Sequence, residues 1–204
     1  MLSNAPRLWF QRLPSPERER ALRKIECVQR LLIRRSDGWQ SRSTVMQFPL
    51  LVEAICRDWI RVDYTRLPAD ICARAQSDRV IYHGREAEPH ARLKLAALGW
   101  MKGEGAADAK AEVRMGGWIA DAYSESYLWA VECGNTDASR LVDAIRWHRA
   151  PRFTILPFQR THTDDHRARR LIAVDFYWRP SLTRWLEDHD VIGMRRAASA
   201  LEFP

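Results

Sequence analysis

Residues 118–133 read WIADAYSESYLWAVEC, and this stretch decides the fold. The run YLWAV at 127–131 is continuously apolar, whereas a strand with one solvated face would alternate apolar and polar residues. We therefore predict a central strand, 127–133, that is buried on both faces. The polar stretch 124–126 is typical of a turn, so residues 118–123 are expected to form the preceding strand.

Elements on both sides of this hairpin predict a mixed α/β fold. The segment from Pro89 to Lys102 has an apolar stripe at helical spacing, and glycines follow it. The further predicted elements are a strand at 110–115, a helix at 137–148, strands at 153–158 and 170–177, and a closing helix at 181–199. From residue 89 the order is α-β-β-β-α-β with additions, which predicts a central mixed sheet.

The first part of the chain is expected to be helical. Residues 16–35 place apolar side chains three and four residues apart behind Ser15 and Pro16, which is typical of an amphipathic helix. Further helical stretches are predicted at 45–59 and 68–76. We expect a helical N-terminal region, 1–82, joined to an α/β core, 83–204, in one compact unit.

Two acidic residues of the hairpin are candidate metal ligands. A two-residue loop at Glu125 and Ser126 would pair Ala130 with Asp121, which places Asp121 and Glu132 on one face, about 7 Å apart at Cβ. Carboxylates at that spacing can share Mg²⁺ or Mn²⁺, which would orient a water and offset charge on a phosphodiester. A register slip of one residue would separate them.

This arrangement resembles the PD-(D/E)XK, or restriction-endonuclease-like, nuclease superfamily over residues 86–160. The resemblance rests on a leading helix, a hairpin bearing Asp121, a strand ending at Glu132, a helix and a further strand. It implies that Asp121 and Glu132 bind metal. It also implies a further metal ligand from the leading helix, either Glu86 or Glu88.

The sequence departs from this family at the motif lysine. That lysine lies two residues after the glutamate, and Gly134 occupies the position here. Arg140, in the helix that follows, could reach the scissile phosphate, although arginine stays protonated and cannot act as a base. Lys110 on the preceding strand is the other candidate catalytic cation. Without a replacement, the fold would bind nucleic acid without cutting it.

The charge balance favours an anionic partner. The chain has a net charge of +7, and arginine forks suit phosphate geometry. We expect nucleic acid, with DNA favoured over RNA; a mixed-charge solvated surface is the competing interpretation. The candidate nucleic-acid-binding residues are Arg23, Lys24, Arg30, Arg34, Arg35, Arg146, Arg169 and Arg170.

Other patterns limit the function classes. The sequence contains no apolar run of transmembrane length and no signal peptide, and its four cysteines are widely spaced, so we expect a cytoplasmic protein with reduced thiols and no membrane partner. The run THTDDH at 161–166 is interpreted as a solvated loop. Two main hypotheses follow: a magnesium-dependent DNA endonuclease, or an inactive nuclease-fold adaptor that binds DNA, RNA or a nucleoprotein complex in a plasmid, phage or defence system. A protein–protein module is a third.

Overall fold

The computed structural model describes residues 51, 54, 55, 57–77, 88–115, 118–134, 136, 138–148, 152–158, 171–179 and 181–183, together with 16, 19, 20 and 23. Six strands belong to one sheet: β1 Ile60–Arg66, β2 Lys110–Met115, β3 Trp118–Ser124, β4 Trp129–Cys133, β5 Arg152–Leu156 and β6 Ile172–Trp178. The helices between them are α1 Ala69–Ser77, α2 Glu88–Gly103 and α3 Ala138–His148.

The sheet is mixed. Its strand order is β1-β6-β5-β4-β3-β2. Strands β4 and β5 are parallel, and α3 connects them; all other neighbouring strands are antiparallel. Parallel neighbours need such a crossover, whereas the antiparallel strands β2, β3 and β4 follow one another through short turns. The prediction of a mixed α/β fold with a central mixed sheet is confirmed.

Apolar side chains form a core on each face of the sheet. The α3-side core includes Leu141 and Ile145 of α3, packed with Phe153 and Phe176 of the sheet. The α2-side core includes Trp100 of α2, packed edge-on against Trp129 of β4 with ring centroids 4.9 Å apart. Burial of β4 on both faces agrees with its continuous apolar sequence.

Strand β1 corrects the expectation that the first 80 residues are mainly helical. It pairs with β6 along its length, from Ile60 opposite Trp178 to Arg66 opposite Ile172. The sheet therefore draws one strand from residues 1–82. The described positions 16, 19, 20, 23, 51, 54 and 55 are helical, but the rest of the helices predicted at 16–35 and 45–59 lies outside the described residues, apart from a turn at 57–59.

Most other predicted elements are present with small boundary shifts. Helix α2, strand β2 and helix α3 begin and end within one residue of the prediction. Of the closing helix predicted at 181–199, only 181–183 are described, and they are helical. The run at 161–166 lies outside the described residues. No helix in the described ranges has the length and apolar character needed to cross a membrane.

Candidate active site

The β3–β4 hairpin has a longer turn than predicted, which changes its register. Ser124 pairs with Trp129 and Tyr123 with Ala130, so the turn contains the four residues 125–128. The prediction that Ala130 lies opposite Asp121 is therefore wrong by two residues. The paired segment ends at Ala122 and Val131, and Asp121 and Glu132 are the next residues beyond it.

Asp108, which precedes β2, holds this turn. Its Oδ1 accepts hydrogen bonds from the hydroxyls of Ser124 and Ser126, and its Oδ2 accepts them from the backbone amides of Glu125 and Ser126. These hydrogen bonds stabilise the ionised form and keep the pKa of Asp108 well below its usual value. An acceptor contributed from outside the hairpin thus specifies the four-residue turn.

Strand β3 changes face at Asp121. Ala120 packs in the α3-side core and Ala122 in the α2-side core, although residues two apart in a regular strand share a face. On the neighbouring strand, Glu112 has a φ of 55°, a left-handed conformation that is unusual for a residue other than glycine. The Asp121 side chain accepts a hydrogen bond from the backbone N–H of Cys133 at 2.7 Å, so it bonds directly to the end of β4.

Helix α2 supplies two basic partners to Asp121. His90 Nε2 lies 3.2 Å from Asp121 Oδ2, and Lys94 Nζ lies 3.7 Å from Asp121 Oδ1. Lys94 also lies 2.8 Å from Glu112 Oε1, and its side chain is 13 % exposed. His90 and Lys94 were not among the predicted site residues. Their spacing of four residues, which places both on one helix face, was the available signal.

Glu132 is buried, and its basic partner comes from α3, which packs on the other face of the sheet from α2. Glu132 is 1 % exposed, and Arg140 of α3 donates a hydrogen bond to its Oε2. Its Oε1 is buried without a hydrogen-bond partner in the described part of the chain. Burial, reinforced by the Asp121 carboxylate, raises the pKa of Glu132 to about 7, although the Arg140 guanidinium opposes the rise.

The two carboxylates are therefore close enough to interact but are held from different sides. Asp121 takes its partners from α2 and Glu132 takes its partner from α3, which pack on opposite faces of the sheet, so the expectation that both side chains lie on one face is wrong. The third proposed ligand, Glu88, is exposed at the start of α2 and forms an ion pair with Arg92 at 2.7 Å. Among the described residues, no three His, Cys, Asp or Glu side chains are grouped to hold a metal ion.

At Gly134, the position of the motif lysine, the backbone and its surroundings leave no room for a side chain. Its φ is 81°, in the left-handed region that favours glycine, and a Cβ built there would collide with the Phe158 ring. A side chain at residue 134 could not project into the site as it would from a continuing strand. The Phe158 ring also lies edge-on to His90, with ring centroids 6.4 Å apart.

The remaining predicted site residues are more dispersed. Lys110 is exposed at the start of β2, opposite Tyr123, and Arg23 is exposed and paired with Glu19 at 3.8 Å. Arg146 belongs to α3, but its side chain is not described. The other predicted nucleic-acid-binding residues, Lys24, Arg30, Arg34, Arg35, Arg169 and Arg170, lie outside the described residues.

Comparisons of the chain with protein-family models, with curated proteins and with solved structures find no match.

Proposed function

We propose that this protein binds nucleic acid and hydrolyses its phosphodiester bonds with the help of a divalent cation. The observation that carries the proposal is the interaction of the Asp121 and Glu132 carboxyl groups on adjacent strands, with the Lys94 ammonium 3.7 Å from Asp121 Oδ1. Two carboxylates and a lysine are a combination that can hold a cation and stabilise charge on a phosphate.

The connectivity supports the same proposal. Helix α2, the antiparallel run β2–β3–β4, the crossover helix α3 and the parallel strand β5 follow the order expected of a restriction-endonuclease-like core. The two acidic residues lie on the strands that carry the metal-binding residues in that superfamily. Since a fold can host several functions, the connectivity adds to the argument but does not replace the site chemistry.

The residues present suit a magnesium or manganese ion. Glu132 Oε1 is a buried oxygen that accepts no hydrogen bond from the described residues, and the Asp121 carboxylate is close enough to raise the pKa of Glu132. Two protein carboxylates are sufficient, because Mg²⁺ keeps several waters and takes its other ligands from substrate phosphates. We assign Asp121 and Glu132 as the residues that would hold the ion, which would activate a water and offset phosphate charge when bound.

We assign to Lys94 the role that Gly134 cannot perform. Lys94 approaches Asp121 from α2, and its side chain is only 13 % exposed, so its charge is poorly screened by solvent. Its ammonium is placed to stabilise negative charge on the phosphate beside Asp121. Lys110, the sequence-based candidate, is exposed at the start of β2, where it pairs with Tyr123, two residues from Asp121.

Cleavage assays test this proposal. Labelled single- and double-stranded DNA and RNA are incubated with Mg²⁺ or Mn²⁺ and with wild-type, Asp121→Asn, Glu132→Gln or Lys94→Met protein. We expect metal-dependent cleavage, reduced about 100-fold or more in each variant. Lys102→Met, in the exposed last turn of α2, and Asp63→Asn, on β1, are the matched controls that should retain activity. Cleavage that persists unchanged in Asp121→Asn and Glu132→Gln would contradict the assigned site.

The alternative function is a non-catalytic nucleic-acid-binding adaptor. The closed position at Gly134 favours it, because a chain that has lost the motif lysine can keep the fold and the basic surface without the chemistry. In the same assays this function predicts salt-sensitive binding, no cleavage with either cation, and no effect of Asp121→Asn on binding.

A further inference from the structure

Arg140 occupies a position between the buried site and the surface. Its guanidinium donates to Glu132 Oε2, yet its side chain is 40 % exposed, whereas that of Glu132 is 1 % exposed. The guanidinium also lies 5.9 Å from the centre of the Trp118 ring. Arg140 thus reaches inward from the first turns of α3 and keeps a path to solvent.

The contact with Arg140 makes Glu132 a weaker ligand for a cation. The guanidinium neutralises one of the two carboxylate charges that would attract a divalent ion, and a second positive charge beside the ion would repel it. The unpartnered Oε1 remains the atom available to a metal. Arginine also forms strong bidentate hydrogen bonds with phosphate, so a phosphodiester at the site competes with Glu132 for the same guanidinium.

We propose that Arg140 is a substrate-binding residue that pairs with Glu132 in the absence of DNA and with a DNA phosphate in its presence. This change of partner couples DNA binding to divalent-cation binding. The inference rests on the proposed function. When Arg140 moves to the phosphate, both oxygens of Glu132 are free, and the cation takes the place of the guanidinium as the positive charge beside this carboxyl group. By linkage, the cation weakens the Arg140–Glu132 contact and raises the affinity for DNA by the same factor.

The test measures Mn²⁺ binding by the electron paramagnetic resonance of free Mn²⁺, with the 204-residue chain. Titrations are made with and without a short DNA duplex whose phosphorothioate linkages keep the charge and resist hydrolysis. Wild-type, Arg140→Gln, Arg140→Lys and Glu132→Gln proteins are compared, with Arg114→Gln on β2 as the control for removal of an exposed arginine. The duplex with Glu132→Gln measures the Mn²⁺ that DNA itself binds, and circular dichroism checks that each variant is folded.

We expect saturating duplex to raise the Mn²⁺ affinity of the wild-type protein about tenfold, within the usual range of coupling between sites. Without DNA, Arg140→Gln should bind Mn²⁺ more tightly than wild-type protein does. The duplex should raise the Mn²⁺ affinity of Arg140→Gln by a smaller factor than it raises that of wild type, because only the phosphate ligands remain to be gained. Arg140→Lys keeps the charge and should remain close to wild type without DNA.

Two failures are distinguishable. Mn²⁺ binding that requires Glu132 but does not change with duplex, or with Arg140→Gln, would overturn the coupling and leave the metal site intact. If neither the wild-type protein nor Arg140→Gln binds more Mn²⁺ than Glu132→Gln does, the proposed function is overturned together with this inference. Should Arg140→Gln be unfolded, Arg140→Lys replaces it: lysine cannot form the bidentate phosphate contact, so the duplex should raise the Mn²⁺ affinity of Arg140→Lys by a smaller factor than that of wild type, and an equal factor would overturn the coupling.

Discussion

Because Glu132 is buried, its contribution to the free energy of unfolding should depend on pH. Its pKa is about 7 in the folded protein, above the ordinary value of 4.5, mainly because burial disfavours the charged form. The folded state therefore binds more protons than the unfolded state between these values. The stabilisation that comes from keeping Glu132 protonated is complete below about pH 4.5 and is lost as the pH rises through about 7.

Glu132→Gln should remove this dependence, because glutamine does not titrate. We expect the free energy of unfolding of wild type, relative to Glu132→Gln, to fall between pH 4 and pH 8 by on the order of 3 kcal/mol. Urea denaturation across that pH range measures it, without divalent cations. Glu104→Gln, which alters an exposed residue after α2, is the control. A constant difference between wild type and Glu132→Gln would show that burial does not govern this carboxyl group.

Gly134 carries a backbone requirement as well as a steric one. Alanine at a φ of 81° costs about 1–2 kcal/mol, and its Cβ would also meet the Phe158 ring. We therefore expect Gly134→Ala to lower the free energy of unfolding by at least that amount. Gly103→Ala, at the open end of α2, should be neutral or slightly stabilising, since nothing lies within 4 Å of its Cβ position.

A double-mutant cycle separates the two causes. Phe158→Ala should reduce the cost of Gly134→Ala by the part that is due to the ring, and the part due to φ should remain. Chemical denaturation of the four proteins gives these values. Full recovery in the double variant would mean that the backbone conformation at residue 134 costs alanine nothing.

At the residue scale, sequence patterns named the two carboxylates and Arg140, but they did not name the basic partners of Asp121. Asp121 and Glu132 could be named because strand alternation relates residues within a hairpin. His90 and Lys94 come from a helix distant in sequence, and their contact with Asp121 depends on how α2 lies across the sheet. Gly134 was visible as a departure, but the left-handed backbone and the Phe158 contact require the folded chain.

At the scale of elements, a buried polar network ties four strands together. Asp175 of β6, which is 0 % exposed, accepts hydrogen bonds from Thr154 and Arg152 of β5 and from Thr65 of β1. The Thr154 hydroxyl in turn accepts the indole N–H of Trp129 in β4 at 2.8 Å. A buried carboxylate with three donors fixes the relative positions of these strands, because each lost partner would leave a buried polar atom unsatisfied.

Thr154→Val tests this network. It keeps the shape but leaves the Trp129 N–H without its acceptor and Asp175 without one donor, so we expect a loss of about 2–4 kcal/mol in the free energy of unfolding. Thr65→Val removes one donor from a partly buried position and should cost about 1 kcal/mol. Guanidinium denaturation compares the two. Equal losses would contradict the central place given to Thr154.

The errors at this scale have identifiable physical causes. In β1, Ile60, Val62 and Tyr64 alternate with polar residues, a strand pattern that was overlooked because helical segments surround it. The turn of the β3–β4 hairpin was misjudged because its length depends on Asp108, which lies outside the hairpin. The parallel contact of β4 with β5 is consistent with the helix predicted between them, since such a connection requires a crossover.

For the whole molecule, the two apolar cores explain how opposing helices meet at one site. Helix α2 packs on one face of the sheet and α3 on the other, and the acidic pair lies where β3 changes face between them. Lys94 and Arg140 therefore approach the same strand pair from opposite sides. A site of this kind depends on the position of both layers.

The net charge of +7 leads to the last prediction, which concerns binding to nucleic acid. Neutralising phosphates releases counterions, so log affinity should fall linearly with log salt concentration, with a slope of about 0.9 per phosphate contact. Three contacts would weaken binding roughly 40-fold between 50 and 200 mM salt.

If Arg140 moves to a phosphate, Arg140→Gln should reduce the slope by about 0.9, whereas Arg114→Gln should leave it nearly unchanged. Fluorescence anisotropy with a labelled duplex in Ca²⁺ measures the slope. Affinity that does not change with salt would exclude phosphate contacts as the basis of binding, and an equal slope for wild type and Arg140→Gln would exclude the transfer of Arg140.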